Sequence, residues 1–187
     1  MELILEITAD ELVDRCRKGD SIGYKLLYNQ YANAMYNTAL RIVNNAADAE
    51  DILQESFIDA FHSLNQFGNR SSFGAWLKKI VIHKSINRVK RGKKNWVDVD
   101  LAHIDSYVLQ DEPEVDEKDF EFRVESIRQA MVQLPDGYRT VLSLYLVENY
   151  KHDEIAGMLG ISAATVRTQY KRAKKKLLDI ISQNKRT

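Results

Sequence analysis

The stretch Tyr150-Lys151-His152-Asp153-Glu154-Ile155-Ala156-Gly157-Met158-Leu159-Gly160-Ile161-Ser162-Ala163-Ala164-Thr165-Val166-Arg167 holds two short helical patterns separated by a brief break. Ile155, Ala156 and Leu159 share one face of the first helix, and the small Ala156 lets a neighbouring helix approach closely. Gly160 supplies the left-handed turn position at no steric cost. Ile161 fills the gap between the helices and Ser162 caps the second. From there Val166, Tyr170, Ala173, Leu177 and Ile180 repeat at steps of four and three, one buried stripe. The opposite side carries Arg167, Thr168, Lys171, Arg172, Lys174 and Lys175. A second helix with a basic outer face fits a recognition helix lying in the DNA major groove. A helical hairpin with a solvated basic face is the plainer alternative, and it leaves the Gly160–Ser162 punctuation and the charge bias without a reason.

A nucleic-acid reading has to meet the overall charge, because 27 Lys and Arg offset 27 Asp and Glu in a chain of 187 residues. The neutrality breaks up by segment. Residues 62–94 carry 9 bases and no acid, and 151–187 carry 9 bases against 3 acids. Residues 48–61 carry 5 acids and no base, and 95–122 carry 10 acids against Lys118 alone. Screening confines each block to its own surroundings, about 8–10 Å at physiological salt, so the zero total is an average over separate surfaces. The acidic stretch 95–122, which includes Pro113, has no helical apolar stripe before about residue 119 and reads as a linker between domains at 1–94 and 123–187. It serves either as a solvated tether or as a counter-charge lying against the basic faces when the protein is free.

Upstream of the linker the pattern is also helical. Leu12, Tyr24, Leu27, Tyr28, Tyr31, Met35, Tyr36, Ala39, Leu40 and Val43 recur at helical spacings. Asp48 is expected to cap a second helix and to complement its dipole. On that helix Leu53, Phe57, Ala60, Phe61 and Leu64 form a core face. Asp51, Gln54, Glu55, Ile58 and His62 form the adjacent stripe, acidic at Asp51 and Glu55. A solvated face is the default for such a stripe, and Ile58 in its midst points to a partner. The glycine-flanked run Leu64 to Ser72 reads as a loop, with Ser71 or Ser72 capping the helix beyond it. That helix turns Trp76, Leu77, Ile80, Val81 and Ile86 inward and Lys78, Lys79, Lys84, Arg88, Lys90 and Arg91 outward. Basic residues beside aromatic ones suit single-stranded nucleic acid, whose bases stack on rings while Lys and Arg follow the phosphates. Phe73 and Trp76 read as core; Phe67, in the loop, fits core or stacking platform.

Other classes are disfavoured. The four His (62, 83, 103 and 152) and the single Cys16 have no metal-ligand spacing, and no nucleophile–base constellation is present, so an enzyme is not expected and no cofactor or metal is implied. No apolar run reaches the roughly 20 residues of a membrane span. The N-terminus Met1 to Glu6 does not read as a signal peptide. One cysteine suits a reducing cytoplasm. The remaining rival is a regulator that uses only the helix-turn-helix, with the N-terminal half sensing a ligand.

Asp48-Ala49-Glu50-Asp51-Ile52-Leu53-Gln54-Glu55-Ser56-Phe57 resembles the core-polymerase-binding helix of bacterial RNA polymerase sigma factors. Leu134-Pro135 through Arg139, then Glu154-Ile155-Ala156 to Thr165-Val166-Arg167 and Arg172-Ala173, resemble their promoter-reading C-terminal domain. With two such domains and a short linker, the chain resembles the extracytoplasmic-function (ECF) branch from about Leu12 to Leu178. The resemblance implies an all-α fold of two small helical domains, the second a helix-turn-helix, in a cytoplasmic bacterial protein that is not an enzyme. It implies three partners: core RNA polymerase, promoter DNA, and an anti-sigma factor able to hold the protein at the inner membrane. It assigns Asp51, Gln54, Glu55 and Ile58 to the polymerase. Gln66, Phe67, Asn69, Arg70, Ser71, Lys79, His83 and Arg88 fall to the minus-ten element, whose flipped base the loop would capture. Arg167, Thr168, Lys171, Arg172 and Lys175 fall to the minus-thirty-five element. His83 stands where the family commonly has Asn, and Asn87 where it often has Asp; the departure at His83 is expected to alter which minus-ten base is preferred.

Overall fold

A computed structural model describes residues 7–68, 70–91 and 117–184, of which 117–123 are described by backbone alone. The chain divides into two compact units, Met1–Arg91 and Gly92–Thr187. All eight elements longer than a single turn or two are α-helices, and no strand occurs among the described residues.

In the first unit, α1 (Ala9–Arg17) starts at a capping box. The Thr8 hydroxyl accepts from the Glu11 amide, and the Thr8 amide donates to the Glu11 carboxylate at 2.8 Å. Gly19, at φ +81°, ends this helix, so the apolar pattern that runs from Leu12 to Val43 is split between α1 and α2 (Ser21–Val43). Asp20 caps α2, accepting from the Ile22 amide at 2.9 Å and from Arg15 Nε at 2.6 Å. Asn44 closes α2 in the left-handed conformation.

The next helix, α3 (Ala46–His62), is capped by Asn45 and not by Asp48; the Asn45 side chain accepts from the Asp48 amide at 3.0 Å. Asp48 sits in the first turn, where its charge still complements the dipole. A single 3-10 turn (Leu64–Gln66) leads to α4 (Phe73–Lys90), which Ser72 caps by accepting from the Ala75 amide. Helix α2 packs on both α3 and α4 around Leu27, Met35, Ala39, Ile52, Leu53, Phe57, Phe73, Leu77 and Val81. Where α4 meets α2, position 74 is a glycine, and a Cβ there would lie 2.6 Å from Tyr31 Cε1 and displace that ring. This compact three-helix frame leaves one side of α3 and one side of α4 facing outward next to each other.

In the second unit, α5 (Glu117–Val132) begins within the segment expected to be linker, so the helical part of this unit reaches back beyond residue 123. The rest of that segment, 95–116, lies outside the described residues, and so does any placement of its acids on the basic faces. After α5 come α6 (Asp136–Leu142), one π turn (Ser143–Val147) closed by the Glu148 amide on the Ser143 carbonyl, α7 (His152–Leu159) and α8 (Ala163–Asn184). Ala130, Leu134, Tyr138, Leu142, Ala173, Leu177 and Ile180 form a core between α5, α6 and α8. Arg139 is buried here, its guanidinium donating to the Leu134 carbonyl at 2.8 Å and to the Asp136 carboxylate. The helix-turn-helix has the expected punctuation. Gly160 is left-handed at φ +65°, and the Ser162 hydroxyl accepts from the Thr165 amide at 3.0 Å.

Candidate functional site

Three surfaces carry the residues singled out above. The first is on α3. With Leu53, Phe57 and Ala60 buried, the helix turns Asp51, Gln54, Glu55, Ile58 and His62 to solvent, and Ile58 keeps 54% of its surface exposed. The acids of this face are tied to α4. Arg88 Nη1 lies 2.5 Å from the Asp48 carboxylate and 3.7 Å from that of Asp51. Lys84 Nζ lies 2.8 Å from Asp59 and 3.3 Å from Glu55. Donation to Asp59 is the main reason the Lys84 pKa rises above the ordinary lysine value; the bond to Glu55 adds to it and partial burial opposes it. Half-exposed pairs such as these contribute at most about 1 kcal/mol each. They are therefore easily exchanged for contacts with an outside partner. Arg88, expected among DNA-facing residues, spends its charge on Asp48 and Asp51 in the free chain.

The second surface is the loop before α4 together with the outer side of α4. Gln66, Arg70 and Ser71 are exposed; Asn69, also expected here, lies outside the described residues. Phe67 departs from the expectation that it lines an open base pocket. Its side chain is 4% exposed, with ring centroids 5.0 Å from Trp76 and 6.0 Å from Phe73, so it belongs to the core. A glycine-flanked position gave no apolar periodicity that would have indicated this. Beyond the loop, Lys79, His83 and Asn87 are exposed, and Trp76 is half-buried. Together with Lys84 and Asp59 they border an open hollow of about 530 Å³ on the unit's surface. Cationic, imidazole, amide and indole groups converge there, a set suited to phosphates and unstacked bases.

The third surface is α8. Arg167, Thr168, Lys171 and Lys175 are exposed, and Arg172 is half-buried on the flank of the same face. Val166, Ala173, Leu177 and Ile180 are buried opposite them. The Thr168 hydroxyl donates to the Ala164 carbonyl at 3.0 Å, which fixes its rotamer and leaves its lone pairs as acceptors. Sequence reading missed the ring group that supports this helix: Tyr145, His152 and Tyr170 meet at centroid distances of 4.6–5.4 Å, with Tyr145 stacked on His152 and Tyr170 tilted to the one and edge-on to the other. Tyr145 lies in the π turn, His152 begins α7 and Tyr170 lies in α8, so the three rings meet only once these elements have packed. Among the described residues no group of three His, Cys, Asp or Glu could hold a metal ion, and no helix is long and apolar enough to cross a membrane.

Residues 27–95 match the family described as Sigma-70 region 2, and residues 124–177 the one described as Sigma-70, region 4. The ECF RNA polymerase sigma factor SigW of Bacillus subtilis is 27% identical over 180 residues, 92% of this chain and 96% of that protein. The RNA polymerase sigma-H factor of Pseudomonas aeruginosa is 30% identical over 172 residues, 88% of this chain and 89% of that protein. The chain belongs to the ECF sigma factors. Solved structures agree on the fold. CnrH, in complex with the cytosolic domain of CnrY, matches with a TM-score of 0.53 at 21% identity, over 94% of this chain and 99% of that one. The sigma factor RpoE of Bartonella quintana, in complex with the anti-sigma factor NepR, matches with a TM-score of 0.53 at 18% identity, over 85% and 96%. As an ECF sigma factor the protein is a transcription initiation factor that acts with RNA polymerase at specific promoters. Helix α1 of this ECF sigma factor precedes residue 27, where the region 2 match begins.

Proposed function

We propose that the three surfaces divide the work of initiation. The stripe formed by the acids Asp51 and Glu55 and the amide Gln54, with Ile58 as its apolar contact, docks on core RNA polymerase. The loop residues Gln66, Arg70 and Ser71, joined by Asn69, capture an unstacked base of the minus-ten element, while Lys79, His83 and Arg88 hold the opened strand. The face Arg167, Thr168, Lys171, Arg172 and Lys175 reads the minus-thirty-five element from the major groove. Phe67, being buried, supports the loop from beneath and does not itself meet the base.

The observation that carries this reading is the ion-paired seam between α3 and α4. Arg88 and Lys84 are held by Asp48, Asp51, Glu55 and Asp59. A basic partner surface that claims Asp51 and Glu55 weakens the seam and turns these cations toward DNA. Polymerase docking and DNA engagement are then linked within one small unit. No bond chemistry is required of the chain, since base capture offsets the few kcal/mol of unpairing and phosphate contacts supply salt-sensitive affinity.

The relatives of similar fold that were solved with an anti-sigma factor, or with a partner's cytosolic domain, support an anti-sigma factor as a further partner here. Such a partner would keep the protein cytoplasmic, held at the inner membrane where the anti-sigma factor is anchored. The direct test is reconstituted transcription with cognate core enzyme on genomic fragments. Discrete start sites sharing two upstream elements are expected; transcripts no different from those of core enzyme alone would contradict the reading.

A further inference from the structure

The last residue of α1, Arg17, is half-buried and reaches across to the loop that precedes α4. Its Nη2 donates to the Phe67 carbonyl at 2.6 Å and to the Leu64 carbonyl at 3.3 Å, and its Nε donates to the Leu64 carbonyl at 3.3 Å. Its Nη1 pairs with Asp14, one helical turn earlier, at 3.1 Å. The two carbonyls mark the ends of the 3-10 turn, where the Phe67 amide also returns to Leu64 at 3.2 Å. The Leu64 carbonyl thus has a backbone partner already, whereas the Phe67 carbonyl lies past the end of the turn, where a carbonyl needs a partner from elsewhere. The side chains of these same two residues are buried, Leu64 at 2% and Phe67 at 4% exposure. The turn is thus fixed at both ends twice over, by apolar side chains below and by one planar cation on its backbone.

We propose that Arg17 is a positioning residue for promoter recognition: through the Leu64 and Phe67 carbonyls it sets where Gln66, Arg70 and Ser71 are presented to the minus-ten base. The proposal rests on the reading of that loop as the base-capturing element. Arg17 lies outside the segment matched to region 2, and 47 to 50 residues separate it from the carbonyls it holds. Discrimination between bases demands a pre-ordered site, because a loop that must be ordered during capture spends its binding energy on ordering and adapts to the wrong base. A guanidinium can bridge two carbonyls in fixed geometry, whereas a lysine ammonium supplies a point charge without that planar fork.

The test compares holoenzymes carrying wild-type protein, Arg17→Ala and Arg17→Lys on a promoter whose start site has been mapped, with each minus-ten position substituted in turn. The reading is the ratio of transcription from the preferred base to that from the other bases. That ratio does not depend on the fraction of active protein, so a simple loss of folded chain leaves it unchanged. Arg17→Ala is expected to lower discrimination about tenfold, the equivalent of one hydrogen bond to a charged group, with affinity for core enzyme within about twofold, as for changes away from an interface. Arg17→Lys, which keeps the charge beside Asp14, is expected to fall with Arg17→Ala. Unchanged discrimination in Arg17→Ala, or full recovery in Arg17→Lys, overturns the proposal. Gln66→Ala and Ser71→Ala separate the two levels. If they abolish discrimination while Arg17→Ala keeps it, only the role of Arg17 is lost. If they too leave discrimination intact, the reading of the loop fails and the role of Arg17 falls with it.

Discussion

Replacing Phe67 by alanine separates a core residue from a surface platform. The ring is 4% exposed and meets Phe73 edge-on and Trp76 at a tilt. Truncating a buried phenylalanine costs about 3–5 kcal/mol through lost transfer energy and the cavity left behind. Each ring pair accounts for about 0.5–1.5 kcal/mol of such a loss. Whole domains are stable by only about 5–15 kcal/mol, so the first unit would be left near its limit. A surface aromatic, by contrast, would cost about 0.5 kcal/mol or less on truncation. The assay is urea unfolding followed by the fluorescence of Trp76, in a Trp96→Phe background that leaves one indole in the chain. With a slope of about 2 kcal/mol per M, the midpoint should fall by roughly 1.5–2.5 M. Phe67→Leu, which refills most of the volume, should lose no more than about 1.5 kcal/mol. A midpoint for Phe67→Ala within about 0.3 M of wild type would refute the placement of this ring in the core.

Two further outcomes follow from the caps. Gly160→Ala forces a side chain into a left-handed position at φ +65°; it should cost about 1–2 kcal/mol in thermal unfolding of the C-terminal unit, and Gly160→Asn should cost less. Asp20 is held below its ordinary pKa of 3.8, first by donation from Arg15 and then by the Ile22 amide. A carboxyl lowered on folding contributes stability above its unfolded pKa, and that contribution is lost as pH falls through the folded value. Asp20→Asn keeps the cap but removes the charge. The stability gap between wild type and Asp20→Asn should therefore be fully present above the ordinary value of 3.8 and should close only as pH falls through the lowered folded value; a gap that is constant with pH would contradict the assignment.

The C-terminal unit was the more legible of the two, because its reading rests on punctuation with a single physical meaning. Gly160 needs φ above zero and Ser162 needs an amide to cap, and both are satisfied as read. The face Arg167, Thr168, Lys171 and Lys175 follows from the apolar stripe opposite it. In the N-terminal unit the core and the α3 stripe were equally plain from periodicity. Most of what stayed hidden depends on distances across the chain; the cap of α3 is the local exception. Asn45 outcompetes Asp48 as the cap because it stands just before Ala46, whereas Asp48 is already inside the first turn. Phe67 lies between glycine and polar residues, so nothing local distinguishes a buried ring from an offered one. The pairing of Arg88 with Asp48 spans 40 residues and that of Arg17 with Leu64 spans 47, and no pattern within either helix encodes such a partner.

The central claim is that the exposed stripe on α3 is what joins this ECF sigma factor to core RNA polymerase. It is tested most directly by the equilibrium affinity of the full chain for core enzyme, measured by competition for wild type and for Asp51→Arg combined with Gln54→Ala. Both positions are exposed, so the variant should fold as wild type does, and its unfolding midpoint measured on the same preparation checks this. Reversing one interfacial charge and removing a neighbouring amide should weaken the complex by about a hundredfold, within the range found for truncated interfacial charge pairs. An affinity equal to that of wild type would place the polymerase contact elsewhere and remove the main support of the account.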